Sequence, residues 1–200
     1  MPLMTMSLSM GNLQNTLTAS NVLAQKVNIE ANGTLALNQA TDPEVSAQAD
    51  AHAELLKAEA GAIDAYFSEH DMPLVGMGMK MAQEADLNGI DWRLLPAIAV
   101  RESTGGKNAC VKNNPFGWGS CKISFNSLDE AIATVAANLG GNNPNTVSHY
   151  GNKTTKQILH AYNPPSIVRK YAEQVISIMN TIGAEDMATI KTTNEVALKT

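Results

Sequence analysis

Residues 94–106 read LLPAIAVRESTGG, an apolar run that passes into charged, hydroxyl and glycine residues. The apolar part predicts a buried helix, with Asp91 as its cap and Pro96 in or near its first turn. The helix should end at Thr104-Gly105-Gly106, because glycine readily adopts the left-handed backbone that closes helices. We therefore expect Glu102 at the C-terminal end of a buried helix.

Helix signals lie on both sides of this segment. Ser127-Leu128-Asp129-Glu130 fits a capping box, and apolar residues then recur at helical spacing as far as Gly140-Gly141. Upstream, the Ala-rich segment 45–67 predicts a helix with Pro43 in its opening turn, after a cap at Thr41 or Asp42.

Three shorter segments complete the helical pattern. The first, 74–86, has Val75, Met79 and Ala82 on one face and is followed by Asn88-Gly89. The second, 155–161, is capped by Thr154 or Thr155. The third, 166–182, is capped by Ser166, has Ile167 in its apolar stripe and stops at Gly183. No strong alternation of apolar and polar residues predicts a strand. The sequence therefore predicts a mainly α fold.

Aromatic residues and charges divide the chain into three parts. The two Trp, four Tyr and three Phe residues all lie between Tyr66 and Tyr171, so the start of the chain has no large ring to anchor a core. Charges balance within 62–183, and the excess of acidic residues lies outside it. We expect a helical or disordered leader over 1–61, one helical domain over 62–183, and a flexible tail over 184–200.

Composition argues against several classes of protein. The 14 Lys and Arg residues against 19 Asp and Glu residues give a net charge of −5, the wrong sign for binding nucleic acid through its phosphates. No charge-free apolar stretch is long enough to predict a transmembrane span. Residues 1–25 lack the basic start and the apolar centre of an export signal, so they are at best a degenerate one.

Chemistry is expected where the buried helix ends. Glu102 faces the negative end of the helix dipole and borders an apolar stretch, and both effects disfavour ionisation of a carboxyl group. A carboxyl group that stays protonated near neutral pH can donate a proton to a glycosidic oxygen. The alternative is a surface glutamate paired with Arg101 or Lys107.

Two further segments carry side chains suited to a sugar. Residues 113–120 read NNPFGWGS, and they combine amides and glycines with two aromatic rings that a bare surface loop would not retain. Aromatic rings can pack on the apolar faces of sugars, and amides can bind sugar hydroxyls, so this loop could form one wall of a carbohydrate cleft. In the alternative interpretation, Phe116 and Trp118 only attach the loop to the core. Tyr162 and Asn163 supply a phenol and an amide at a helix terminus, where they orient a substrate or cap the backbone.

These segments together resemble those of lysozyme-like peptidoglycan hydrolases. The resemblance covers about residues 62–183 and rests on Glu102-Ser103 after an apolar helix, on the loop from Asn114 to Trp118, and on Ala161-Tyr162-Asn163 followed by Tyr171. The chain is most similar to the bacterial glucosaminidases called mannosyl-glycoprotein endo-beta-N-acetylglucosaminidase-like. It also resembles the soluble lytic transglycosylases, a group related to these glucosaminidases, which share the Glu-Ser and Ala-Tyr-Asn elements.

The resemblance implies a lysozyme-like helical fold and cleavage of β-1,4 bonds in the N-acetylated glycan of peptidoglycan, with Glu102 as the general acid. The residues expected to bind substrate are Ser103, Asn114, Phe116, Trp118, Tyr162, Asn163 and Tyr171. Two departures from the transglycosylases stand out, since Pro164-Pro165 replaces their Ala-Gly and Pro-Phe-Gly-Trp replaces their Gly-Leu-Met-Gln. We expect an exported monomer, secreted or associated with the cell wall.

No motif marks a second catalytic carboxylate. Asp91, Asp129 and Glu130 are better explained as helix caps or first-turn charges than as the partner that a two-carboxylate hydrolase needs. With one carboxyl group, the acetamido oxygen or the 6-hydroxyl of the substrate can attack the anomeric carbon. The open alternatives are a hydrolase, a lytic transglycosylase with the same glutamate, and a glycan-binding wall module without turnover.

Cys110 and Cys121 are the only cysteines, and they flank the aromatic loop. We expect a disulfide, which would stabilise the fold by roughly 3 kcal/mol on a chain-entropy argument and would agree with export. The rival is a Cys-His peptidase using His149 or His160, although no nucleophile signature is present. The histidines and cysteines lack metal-ligand spacing, so no metal and no cofactor are expected.

Overall fold

The computed structural model describes residues 43–183 of the 200-residue chain. Within that range the regular elements are all α-helices: α1 (Pro43–Glu69), α2 (Gly78–Leu87), α3 (Leu94–Ser103), α4 (Leu128–Leu139), α5 (Val147–Tyr150), α6 (Thr155–Tyr162) and α7 (Tyr171–Thr181). The predicted mainly α class is confirmed. The predictions for residues 1–42 and for the tail over 184–200 lie outside the described residues.

The helix α3 forms the centre of the core. Every residue from Leu94 to Ala99 is buried, and α3 lies against α2, α4 and α7. Burying one Leu or Ile side chain contributes about 1.5–3 kcal/mol, so this run is a large share of the hydrophobic stabilisation. The predicted buried helix, with Pro96 in its first turn, is confirmed.

The two ends of α3 are closed differently. Arg93, not Asp91, is the cap residue, and the Asp91 carboxylate accepts hydrogen bonds from the backbone and the guanidinium of Arg93 instead. At the other end Thr104 adopts the left-handed conformation (φ 54°), followed by Gly105 (φ 62°). The chain therefore turns sharply just after Glu102, as the glycines predicted.

The long helix α1 begins with Pro43 in its first turn, as predicted. Its N-terminal half is exposed, whereas Ala60, Ile63 and Phe67 enter the hydrophobic core beside α2. The predicted boundary at residue 62 falls inside this helix, so its last turns share one core with the segments that follow.

Two helices begin later than the sequence predicted. The helix α2 starts at Gly78 and not at Leu74, because the backbone N–H groups of Gly76 and Gly78 donate to the Asp64 carboxylate and hold the preceding residues in a turn. Val75, predicted on the apolar face, is 48% exposed. A Cβ atom at Gly78 would lie 2.2 Å from the carbonyl oxygen of Ala60, so α1 and α2 approach as closely as glycine permits.

The start of α7 shifts in the same way. Residues 164–168 form a turn in which the Pro164 carbonyl accepts from the N–H groups of Ile167 and Val168, and the helix begins only at Tyr171. Ile167, predicted in the apolar stripe, is therefore 75% exposed. Lys170 takes a left-handed conformation (φ 67°) immediately before the helix.

The predicted caps of α4 and α6 are present. Ser127 Oγ accepts from the Glu130 N–H (3.1 Å), while the Glu130 carboxylate reaches back to the Asn126 N–H and not to that of Ser127. Thr154 and Gln157 form a complete capping box at α6. The four-residue α5 was not predicted, since it is too short to show a helical period.

A disulfide joins Cys110 and Cys121, with their Cα atoms 5.9 Å apart, so the predicted bridge is confirmed. Because both thiols are used in this bond, a Cys-His peptidase has no nucleophile in this form of the protein. Among residues 43–183, no helix combines the length and the apolar character needed to cross a membrane.

Candidate active site

A groove of about 670 Å³ lies at the C-terminal end of α3. Its walls come from the disulfide loop (residues 110–121), from α5 and from the segment that follows α6. The lining residues are Glu102, 117–121, Thr146, His149, Tyr150, Tyr162, Asn163, Pro164 and Ile167. The structure therefore brings four separate segments of the chain together around Glu102.

The two oxygens of the Glu102 carboxyl group have different surroundings. The hydroxyl of the buried Tyr171 donates a hydrogen bond to Oε1 (2.6 Å). Burial, and next the hydrogen bond to Glu102, raise the pKa of Tyr171 far above its ordinary value, so this phenol remains a donor. The other oxygen, Oε2, lies beside Gly117 at the groove, where a Cβ atom on Gly117 would be only 3.1 Å away.

Gly117 is a site residue that the sequence did not identify. Its φ of +64° lies in the left-handed region, and its missing side chain leaves the space next to Glu102 Oε2 free. The signal was present in the sequence as the glycine between Phe116 and Trp118, but its purpose depends on a carboxyl group 15 positions earlier.

Aromatic rings form one side of the groove. The ring of Trp118 lies 5.8 Å from that of Tyr162 and 6.2 Å from that of Tyr150, tilted towards both. Tyr162 in turn stacks on Tyr171, with the ring centroids 6.1 Å apart and the planes 12° from parallel. Trp118 and Tyr162 thus lie in the wall of the groove that contains Glu102.

Three residues expected to contact substrate are buried instead. Ser103 Oγ donates its one hydrogen to the Pro115 carbonyl (2.6 Å), with the Ala99 carbonyl as a more distant second acceptor (3.1 Å), and accepts from the Gly106 N–H, so its bonding capacity is used inside the protein. Asn114 and Phe116 have no exposed surface. The expected substrate contacts of Ser103, Asn114 and Phe116 are therefore corrected to a structural role, because none of them reaches the groove.

Asn114 shows what that role is. Its amide nitrogen donates to the carbonyls of Trp118 (2.9 Å) and Ile123 (2.8 Å), and its oxygen accepts from the Trp118 N–H. Phe116 lies in the core, as the alternative interpretation of the loop proposed. The loop is thus fixed from inside, and its residues 117–121 face the groove.

The remaining expected residues differ in how they reach the site. Asn163 lines the groove, and its buried Oδ1 atom has no hydrogen-bond partner in the described part of the chain. Tyr171 reaches the site through its bond to Glu102. The Tyr162 hydroxyl donates to the Phe116 carbonyl, and burial, followed by the nearby Glu102 charge, raises the pKa of Tyr162 well above its ordinary value.

The basic residues near Glu102 have other partners. The Arg101 guanidinium lies over the ring of Tyr171, 5.7 Å from its centroid, and donates to Gln174. Lys107 donates to the backbone carbonyl of His70. The alternative in which Glu102 is a surface residue paired with Arg101 or Lys107 is therefore not the arrangement in this structure.

Glu102 is the one carboxylate among the described residues that line the groove. The other candidate acids are used elsewhere, since Asp91 binds Arg93 and Glu130 binds Asn126, while Asp129 is exposed in the first turn of α4. Nowhere in 43–183 do three His, Cys, Asp or Glu side chains come close enough to hold a metal ion.

His149 also lines the groove, and the sequence offered it only as part of a peptidase. Its ring meets that of Tyr150 edge-on (4.8 Å, 89°), and its Nε2 atom lies 3.0 Å from the carbonyl oxygen of Ala161 in α6. This bond joins α5 to the last turn of α6. No short motif in the sequence indicates it, because α5 itself gives no helix signal.

Comparison with known proteins adds no relative: no family model matches the chain, and no curated protein matches it. What the site offers is one carboxyl group with one oxygen at an open groove, a buried phenol that orients it, and a wall of aromatic rings.

Proposed function

We propose that this protein is a glycoside hydrolase that cleaves β-1,4 bonds in the N-acetylated glycan of peptidoglycan, with Glu102 as the general acid. One observation carries the proposal. Glu102 has one oxygen held by Tyr171 and the other beside Gly117, at a groove lined by Trp118 and Tyr162.

The two carboxyl oxygens support separate tasks. Because the Tyr171 hydroxyl donates to Oε1, that oxygen is an acceptor, and the proton available for transfer belongs on Oε2. Oε2 is also the oxygen beside the glycine that leaves room for a substrate atom. A fixed donor at the glycosidic oxygen is what general acid catalysis requires.

The groove suits a carbohydrate in size and character. Its volume of about 670 Å³ lies within the usual range of ligand sites, roughly 300 to 1,000 Å³. Trp118 offers an aromatic face to the apolar side of a sugar ring, and Thr146 and Asn163 bring polar groups to the same groove. The disulfide supports action outside the cytoplasm, where such bonds persist.

A lytic transglycosylase with the same glutamate is a second candidate, and one observation favours it. Among the described residues of the groove, no second carboxylate accompanies Glu102. A transglycosylase needs no water-activating carboxylate, because the 6-hydroxyl of the substrate attacks the anomeric carbon. Its product ends in a 1,6-anhydro sugar, which is lighter by one water than a hydrolysed end.

The test is loss of turbidity of purified cell walls, with mass spectrometry of the released ends. Glu102→Gln keeps the shape of the side chain and removes the transferable proton, so turnover should fall by about 10² to 10⁴ while wall binding persists. Asp129→Asn, at an exposed position in α4, is the matched control and should remain active. Turnover near that of the wild type in Glu102→Gln would refute the proposal, and wall binding without product in any form would indicate a binding module.

A further inference from the structure

Besides Glu102, the described lining of the groove contains one side chain of the type that most often serves as a general base in enzymes. In the described part of its lining, Cys121 is bound in the disulfide. Burial raises the pKa values of Tyr150 and Tyr162, which keeps both phenols protonated. The other polar lining residues carry hydroxyl or amide groups, which are not bases near neutral pH: Ser120, Thr146 and Asn163. That leaves the imidazole of His149.

The contacts of His149 determine which nitrogen is the base. A carbonyl oxygen accepts hydrogen bonds and cannot donate them, so the 3.0 Å contact with the Ala161 oxygen places a hydrogen on Nε2. In the neutral ring the lone pair then lies on Nδ1. The residue is exposed and lines the groove, so water can reach the residue there. The ring is held in place by its edge contact with Tyr150 and by the tie to α6.

We infer that His149 Nδ1 is the general base that activates the attacking water, an assignment that rests on the proposed glycosidase function. The water oxygen forms a bond to the anomeric carbon while the glycosidic C–O bond breaks. Glu102 passes its proton to the departing oxygen, and His149 takes the proton that the water releases. The imidazolium then loses this proton to solvent and Glu102 regains one, so both groups return to their starting states.

This assignment has a stereochemical consequence. Direct displacement by water on the face opposite the leaving group inverts the anomeric carbon, as in hydrolases whose second carboxylate activates a water. A β-1,4 bond then gives an α reducing end as the first product. A first product of β configuration, or a 1,6-anhydro end, would overturn the assignment.

One substitution separates the base from the structural contact. The side-chain amide of His149→Gln can still donate to the Ala161 carbonyl in place of Nε2–H, but it cannot take up a proton. His160→Gln is the matched control, because His160 lies on α6 and is not among the residues that line the groove. Thermal unfolding of both variants shows whether the fold is retained.

In His149→Gln the turnover number should fall by about 10² or more with little change in KM, since general base catalysis is lost and binding is not. The pH profile of the wild-type rate should contain an acid limb that is absent from the residual activity of His149→Gln. His160→Gln should show both the wild-type rate and the wild-type pH profile. A His149→Gln protein with unchanged turnover and an unchanged acid limb would overturn the base assignment.

A second measurement does not depend on turnover. Nitrogen-15 NMR of the ring at a pH where it is neutral should show His149 with the hydrogen on Nε2 and a bare Nδ1. The opposite tautomer would overturn the assignment. The two proposals fail differently: an active Glu102→Gln removes the proposed function, whereas an inactive Glu102→Gln beside an active His149→Gln removes only the base. Absence of product from the wild type would overturn both.

Discussion

A single methyl group at Gly117 should disable the site by blocking one oxygen. In Gly117→Ala the new Cβ atom would lie 3.1 Å from Glu102 Oε2, 3.8 Å from the carboxyl carbon and 3.9 Å from Cγ. A general acid must come within about 2.6–3.2 Å of the oxygen that it protonates, so the methyl group occupies the place of the substrate atom. We expect turnover of cell walls to fall by about 10² to 10⁴, as when the acid itself is lost.

The same substitution also strains the backbone, and that effect must be separated from the steric one. At a φ of +64°, alanine costs about 1–2 kcal/mol relative to glycine, which lowers Tm by roughly 3–8 °C in a domain of this size. Gly119→Ala is the control for backbone strain, because its φ of +65° imposes the same cost in the same loop, and Gly119 lines the same groove. Its Cβ would meet the flexible, exposed side chain of Ile123 and not Glu102.

The comparison is decisive because Gly119→Ala should lose at least as much stability as Gly117→Ala, since its Cβ also presses on Ile123. Turbidity assays at a temperature well below both Tm values should show Gly117→Ala almost inactive and far less active than Gly119→Ala. Equal activity of the two variants would show that the space beside Oε2 is not used by the substrate, and the argument that assigns the transferable proton to that oxygen would be wrong.

Two further predictions follow from the contacts of Tyr171 and Glu59. Tyr171→Phe removes the hydrogen bond to Glu102 Oε1, so the free energy of unfolding should fall by about 1–3 kcal/mol. Turnover should also fall, because the carboxyl group is no longer oriented. Unchanged turnover would contradict this prediction. Burial, and then the charges of Asp86 and Asp91, raise the pKa of Glu59 in the folded protein. The free energy of unfolding therefore falls as pH rises from the ordinary glutamate pKa through this raised value. Glu59→Gln should therefore be more stable than the wild type at neutral pH and no more stable below about pH 4. Denaturant unfolding measures both differences. A difference in stability that is the same at both pH values would contradict the charge argument.

The elements that the sequence predicted well are those specified by nearby residues. The helix α3 is marked by a continuous apolar run and closed by adjacent glycines, and α4 is marked by Ser127 and an apolar period. The start of α2 was misplaced for a different reason. The turn before α2 is held by Asp64, which is 12 positions from Gly76, and no local pattern shows such a contact.

The same distinction applies to the site. Glu102 was identifiable because its position at the end of an apolar helix is a local property. Gly117 and His149 were not identified as groove residues because each is placed there beside a distant segment, Gly117 beside Glu102 of α3 and His149 beside Ala161 of α6. Asn114 and Phe116 were conspicuous for their residue types, but residue type does not tell whether a loop side chain faces a groove or the interior.

The buried loop residues explain how one carboxyl group is kept in place without a second one. The loop is fixed at successive positions: Ser103 of α3 donates to the Pro115 carbonyl, and Tyr162 of α6 donates to the Phe116 carbonyl, immediately before Gly117. Ser103, which anchors the loop, is the next residue in the chain after Glu102, which the loop faces. The anchor and the carboxyl group are therefore joined by one peptide bond. The distance between Gly117 and Oε2 is therefore set by the interior of the protein and not by the substrate. A site arranged in advance loses little entropy when substrate binds, which is the condition under which a single fixed proton donor is most effective.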